Sequence, residues 1–228
     1  MRILECTKID EGNHSNIRFI RIDPENLSVT IKDIIASFSD MSWISKFDEE
    51  YVKKSFSKRA EASAQYLADK MKKGVEDGVT RDTGEYVVSE LARQALVNEL
   101  KYLDIPLAEL FKEQISGNPG FDFYSANLEQ IIIFGEAKYN SRQNAYGKGM
   151  EQVNRFIVEE QDISDLNDID KFFEDCSLSK AASGEKAYAV AFAAKTTKSE
   201  DIVKGIVSNK YYSNLATYKE VIYLAVNV

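Results

Sequence analysis

Three consecutive isoleucines and a phenylalanine, Ile131, Ile132, Ile133 and Phe134, run straight into Gly-Glu-Ala-Lys, and no other segment constrains the fold as much. An apolar, β-branched run of this length reads as a buried strand, so the chain is expected to be extended over 130–139. Glu136 and Lys138 are two apart and therefore project to the same side of that strand. Asp122 stands between Phe121 and Phe123, 14 positions before Glu136. That separation allows a tight turn and an adjacent antiparallel strand, which would bring two carboxylates to one end of a sheet. Charges set in apolar surroundings are costly unless paired or bound to a cation, so these three side chains are the first candidates for chemistry.

The remaining pattern places them in an α/β frame. Residues 2–8 and 17–22 alternate and are β-branched, which predicts a hairpin across the polar turn at 10–16. Helices are predicted over 27–38 and 48–73; in the second, Tyr51, Val52, Phe56, Ala60, Ala64 and Leu67 recur at helical spacing. Its Lys53, Lys54, Lys58 and Arg59 face reads either as a solvated surface or as a phosphate contact. Three glycines and a cluster of charges over 74–84 mark a boundary. The chain is therefore divided into an N-terminal hairpin and helical subdomain, 1–78, and a core, 79–228. In the core, a helix is predicted over 85–103, strands over 111–115, 121–124 and 130–139, a helix over 150–160, and strands over 186–194 and 218–227. This order points to a mixed sheet with helices on both faces.

Composition removes several function classes. With 44% hydrophobic and 29% charged residues, nothing reads as disordered, and no apolar run approaches a membrane span. The N-terminal stretch lacks a signal-peptide pattern, and Cys6 and Cys176 read as ordinary reduced thiols, so a cytoplasmic protein without a membrane anchor is expected. The single histidine, His14, is placed in a polar loop and cannot supply a histidine metal cluster. Chemistry must then rest on carboxylates and lysine. The net charge of −8 argues against a globally basic nucleic-acid binder, yet the acidity is local: 159–175 holds eight acids against Lys171 alone. That stretch reads as a solvated acidic loop and helix, or as a surface that docks a partner or shields the site.

Two carboxylates brought close repel each other, and a divalent cation relieves the repulsion. Mg²⁺ suits such a site, because it takes one or two carboxylates, keeps several waters and accepts phosphate oxygens; Mn²⁺ is the expected substitute. Lys138 would orient or help deprotonate an attacking water and offset charge on phosphorus. A further acid comes from the helix over 85–103, where Val88, Leu91, Ala92, Ala95 and Leu96 form an apolar stripe. Glu85 lies at its edge and Glu90 on the opposite side, so Glu85 is the candidate ligand. Asp82-x-x-Glu85 also has capping-box spacing, which would make Glu85 a helix-start residue instead. The polar, basic stretch after the strand offers Arg142, Lys148 and Gln152 as contacts to a phosphate backbone, although a loop there is polar in any case.

The ordered set of Glu85, the Gly120-Phe121-Asp122 turn, the Gly135-Glu136-Ala137-Lys138 strand and the helix bearing Gln152 resembles the PD-(D/E)XK nuclease superfamily over residues 80–228. Pro119 departs from the pattern, standing three residues before the aspartate rather than next to it. The Ser57-Lys58-Arg59-Ala60 helix and the Thr83-Gly84-Glu85 entry extend the likeness to the whole chain, which is similar to the HamA nuclease subunits of Hachiman antiphage defence systems. The resemblance implies a restriction-endonuclease-like mixed sheet flanked by helices with an N-terminal strand and helix elaboration. It also implies a metal-dependent DNA nuclease with Asp122, Glu136 and Glu85 as metal ligands and Lys138 as the catalytic lysine. DNA and a HamB-like helicase subunit would be its partners, and no small-molecule cofactor is expected. A stand-alone restriction-type endonuclease and a catalytically inactive scaffold of the same fold remain the alternatives.

Overall fold

The computed structural model describes residues 1–10, 16–77, 81–112, 120–194 and 196–228. His14, Pro119 and part of the 74–84 boundary lie outside these residues. In chain order the elements are β1 (Arg2–Lys8), β2 (Ile17–Asp23), α1 (Leu27–Phe38), α2 (Glu50–Asp77), α3 (Arg81–Asn98), α4 (Ala108–Phe111), β3 (Phe123–Ala126) and β4 (Ile132–Lys138). They continue as α5 (Tyr146–Val158), α6 (Gln161–Ile169), α7 (Asp175–Ala182), β5 (Ala187–Ala194), α8 (Ser199–Val207), α9 (Tyr212–Leu215) and β6 (Glu220–Asn227).

The six strands form one mixed sheet in the order β1-β2-β6-β5-β4-β3. Strands β2, β6, β5 and β4 are mutually parallel, and β1 and β3 are antiparallel edges. Central parallel strands are covered on both faces and therefore carry unbroken apolar sequence. This explains β5, Ala-Tyr-Ala-Val-Ala-Phe-Ala-Ala, in which every residue is buried. The β1–β2 hairpin is antiparallel as its pattern predicts, and β2 lies beside β6, with Ile20 opposite Leu224. Residues of 1–78 and 79–228 thus share one sheet and one core.

The alternation of β4 assigns its two faces. The aromatic ring of Tyr139, just past the strand, lies against Gly84 of α3, where a Cβ would come within 2.3 Å of it. Lys138 points the other way, towards Gly149 of α5, and Phe134 on that side meets Phe121, whose ring packs on Phe156 of α5. Helices therefore flank both faces. Helix α2 reaches the same end of the sheet through α4, with the Phe56 and Phe111 rings 6.5 Å apart and an Arg59 guanidinium N–H donating to the Phe111 carbonyl at 3.4 Å.

Three local expectations need correction. Phe111 ends helix α4 with Lys112 as its C-cap, rather than opening a strand at 111–115, of which 113–115 lie outside the described residues. Leu107 and Leu110 are buried there, and packing of a short helix overrides β propensity. Helix α3 already includes Arg81, so Glu85 lies beyond its first described turn and is not a helix-start residue. The stretch 159–175 is not simply solvated: α6 runs through it, and its Asp162 and Asp165 are 2% and 1% exposed.

Candidate active site

Antiparallel pairing decides where the acids meet. Phe123 of β3 stands opposite Gly135 of β4, so the residue entering β3 lies beside the residues leaving β4. Gly135 is required there, since a Cβ would sit 2.2 Å from the Phe123 ring. Asp122 is that entering residue. Its N–H donates to the Gly135 carbonyl at 2.9 Å, its own carbonyl accepts the Ala108 N–H of α4 at 3.1 Å, and its Oδ2 accepts the Ala137 N–H at 2.7 Å. The carboxylate thus takes the backbone donor located between Glu136 and Lys138.

Glu136 is 1% exposed, and its Oε1 accepts from Lys138 Nζ at 2.6 Å. Its Oε2 is buried and, among the described residues, accepts no hydrogen bond. Burial, followed by the charge of Asp122, pushes the Glu136 carboxyl well above the usual range, against the pull of Lys138. Burial likewise raises Asp122 to about 6, with Glu85 adding to the rise and Lys138 and the Ala137 N–H opposing it. Burial works against a charged Lys138, but the Glu136, Asp122 and Glu85 carboxylates outweigh it and hold the ammonium above its ordinary value. Lys138 is accordingly a cation here and not a free base.

Glu85 is half-buried in the first turns of α3, which the Gly84–Tyr139 contact presses against the end of β4. It joins the cluster through its charge, which raises Asp122, Glu136 and a fourth acid, Glu109. Pattern reading passed over Glu109 because α4 is only four residues long. Its signal was nonetheless the one that marked Asp122: a lone acid inside an apolar stretch, here Ile105-Pro-Leu-Ala-Glu-Leu-Phe. Burial and then the charge of Asp122 push Glu109 up to about 8, and its Oε2 is buried without a hydrogen-bond partner among the described residues.

Arg142 and Lys148 are exposed on the segment that leaves β4 and returns over Lys138 as α5, and Gln152 is half-buried on α5. Among the described residues, none of the three forms a hydrogen bond or ion pair with Asp122, Glu136 or Lys138. The group that the fold assembles is therefore Asp122, Glu136 and Lys138, with Glu85 and Glu109 acting on it electrostatically.

Among the described residues, no three His, Cys, Asp or Glu side chains form a ready-made metal cage. The donor set suits one class of ion. It is all oxygen, it contains two mutually repelling carboxylates, and one buried oxygen of Glu136 has no donor. A hard cation that needs one or two carboxylates and fills the rest of its shell with water fits these residues, whereas a histidine- or thiolate-seeking ion does not.

Comparison of the chain with family models, with curated proteins and with solved structures finds no match in any of the three.

Proposed function

We propose that the chain is a Mg²⁺-dependent deoxyribonuclease of PD-(D/E)XK type, acting in the cytoplasm as the effector of a helicase-linked, Hachiman-like defence complex. The observation that carries this reading is Glu136, fully buried, with one oxygen on Lys138 and the other unpartnered beside Asp122. A structural ion pair would satisfy both oxygens, because a buried acceptor without a donor costs about 1–3 kcal/mol. The arrangement makes sense if the second oxygen serves a ligand. The mixed sheet, with acids at the end of a parallel strand and helices on both faces, is in keeping with a restriction-endonuclease-like core.

In this mechanism Asp122 and Glu136 would hold the divalent ion, with Glu85 as the supporting acid. A bound Mg²⁺ supplies an activated water and neutralises charge on the scissile phosphate. Lys138, kept protonated by the surrounding carboxylates, donates hydrogen bonds to the attacking water or to a non-bridging phosphate oxygen and stabilises the charge that develops there. The Ala137 N–H fixes the orientation of Asp122. Arg142, Lys148 and Gln152 would meet the DNA backbone beyond the site. With a net charge of −8 the chain has little intrinsic grip on DNA, which favours a partner that delivers the substrate.

Incubation of the purified chain with plasmid and Mg²⁺, alone and together with a helicase encoded beside it, tests the reading. Cleavage that Glu136→Ala and Lys138→Ala abolish supports it. Variants that cut as well as the wild type reject it, and discrete fragments without a helicase would favour a stand-alone restriction-type enzyme.

A further inference from the structure

We infer that Asp165, in the acidic stretch after α5, is a positioning residue for this site. It acts through Phe121, the residue before Asp122, and Tyr124, two residues after it. The inference rests on the nuclease reading and assigns a role to a residue far from it in sequence.

Asp165 is 1% exposed and accepts four donors: the Phe121 N–H at 3.1 Å, the Tyr124 hydroxyl at 2.5 Å, Lys112 Nζ at 2.8 Å and Gln161 Nε2 at 3.0 Å. Two of these belong to the turn and strand that carry Asp122. A third, Lys112, caps α4, the helix that bears Glu109 and whose Ala108 N–H binds the Asp122 carbonyl. Gly120 makes the arrangement possible, because a Cβ there would lie 2.6 Å from Lys112 Nζ and 3.4 Å from Asp165 Oδ1. One carboxylate thus ties together α4, the approach to Asp122 and the middle of β3. Groups that fix the orientation of ligating side chains are typically worth about 10–100-fold in metal affinity.

The same helix supplies a matched control. Asp162 is 2% exposed and also accepts one lysine and one tyrosine, Lys186 Nζ and the Tyr188 hydroxyl, both at 2.5 Å. It anchors α6 to β5 and the residue before it, and bonds neither neighbour of Asp122. Asp162→Asn and Asp165→Asn remove equivalent buried charges, so damage to folding should be alike and damage to the site should not.

The test is a Mn²⁺ titration of the full chain without DNA, read by electron paramagnetic resonance, alongside the Mg²⁺ dependence of plasmid cleavage. Asp165→Asn is expected to weaken Mn²⁺ binding about tenfold or more and to raise the half-saturating Mg²⁺ equally, with excess Mg²⁺ recovering most of the maximal rate. Asp162→Asn should leave both within about twofold of wild type. If Asp165→Asn does not fold, Tyr124→Phe removes one of the four bonds while keeping the ring, and should shift both midpoints about threefold. Equal shifts in the Asp162 and Asp165 variants, or an unshifted Tyr124→Phe in place of an unfolded Asp165→Asn, overturn the inference alone. A wild type that neither binds Mn²⁺ nor cuts DNA overturns the nuclease reading, and the inference with it.

Discussion

Two buried glutamates on neighbouring elements are treated in opposite ways. Glu90 of α3 is 2% exposed and fully engaged: both oxygens accept from the Arg93 guanidinium at 2.8 Å, and Oε1 also accepts from Gln94 at 2.9 Å and from Ser37 at 3.4 Å. Arg93 in turn pairs with Asp104. Glu136 is as deeply buried, yet it has one lysine, a second carboxylate beside it and an oxygen with no donor. Burial alone therefore does not mark a functional acid. A carboxylate whose acceptors are all used is holding the fold together, and one left incompletely satisfied among like charges is the candidate to take a ligand.

Paired substitutions can break this contrast. The largest expected effect is on chemistry: Glu136→Gln should lower plasmid cleavage by on the order of 10²–10³-fold while changing unfolding free energy by no more than about 1 kcal/mol. Both are read on one preparation, by cleavage kinetics and urea denaturation. Arg93→Ala should do the reverse, costing about 3–5 kcal/mol because it strands Glu90, while the folded fraction keeps its specific activity. If Glu136→Gln costs as much stability as Arg93→Ala, the two glutamates are alike and the distinction fails.

Proton linkage sharpens the comparison further. Asp122 rises from an ordinary 3.8 to about 6 and Glu109 from 4.5 to about 8, in both cases first through burial. The folded protein then binds more protons than the unfolded chain between those values. Their contribution to stability is complete below about pH 4, declines through pH 6 for Asp122 and through pH 8 for Glu109, and is flat above. Denaturation midpoints measured across pH 4–9 should fall over that window, Glu109→Gln should reduce the decline above pH 6, and saturating Mn²⁺ should flatten the whole curve. Retention of the full slope in Glu109→Gln would detach that residue from the site. The smallest effect belongs to Gly84→Ala, where the new methyl meets the Tyr139 ring; a loss of about 1–3 kcal/mol is expected, with Mg²⁺ dependence rising as Glu85 moves outward.

Much of this was legible because the strongest patterns are local. The β-branched run of β4 and the period-two spacing of Glu136 and Lys138 needed no tertiary information. Helix α1 matches its predicted bounds, with Asn26 accepting from the Val29 N–H as its cap. What could not be read depends on partners distant in the chain. Glu90 was placed on the face of α3 away from the apolar stripe, but α1 covers that face and Arg93 makes its burial tolerable. Asp162 and Asp165 looked like members of a solvated acidic run, and it is lysine and tyrosine partners remote in sequence, Lys186 and Tyr188 for one and Lys112 and Tyr124 for the other, that draw them inside. Helices α7, α8 and α9 left too short a periodic signal to be separated from loops.

Strand order has a consequence for biosynthesis. β6, the last of the six strands to be made, is the one that separates β2 from β5. Before it emerges from the ribosome, the hairpin at one edge and the β3-β4-β5 unit at the other have no hydrogen-bonded connection, and the many long-range contacts across β6 make closure slow. A chain that must wait for residues 220–227 before its sheet is continuous leaves β2 and β5 as open edges during its own synthesis.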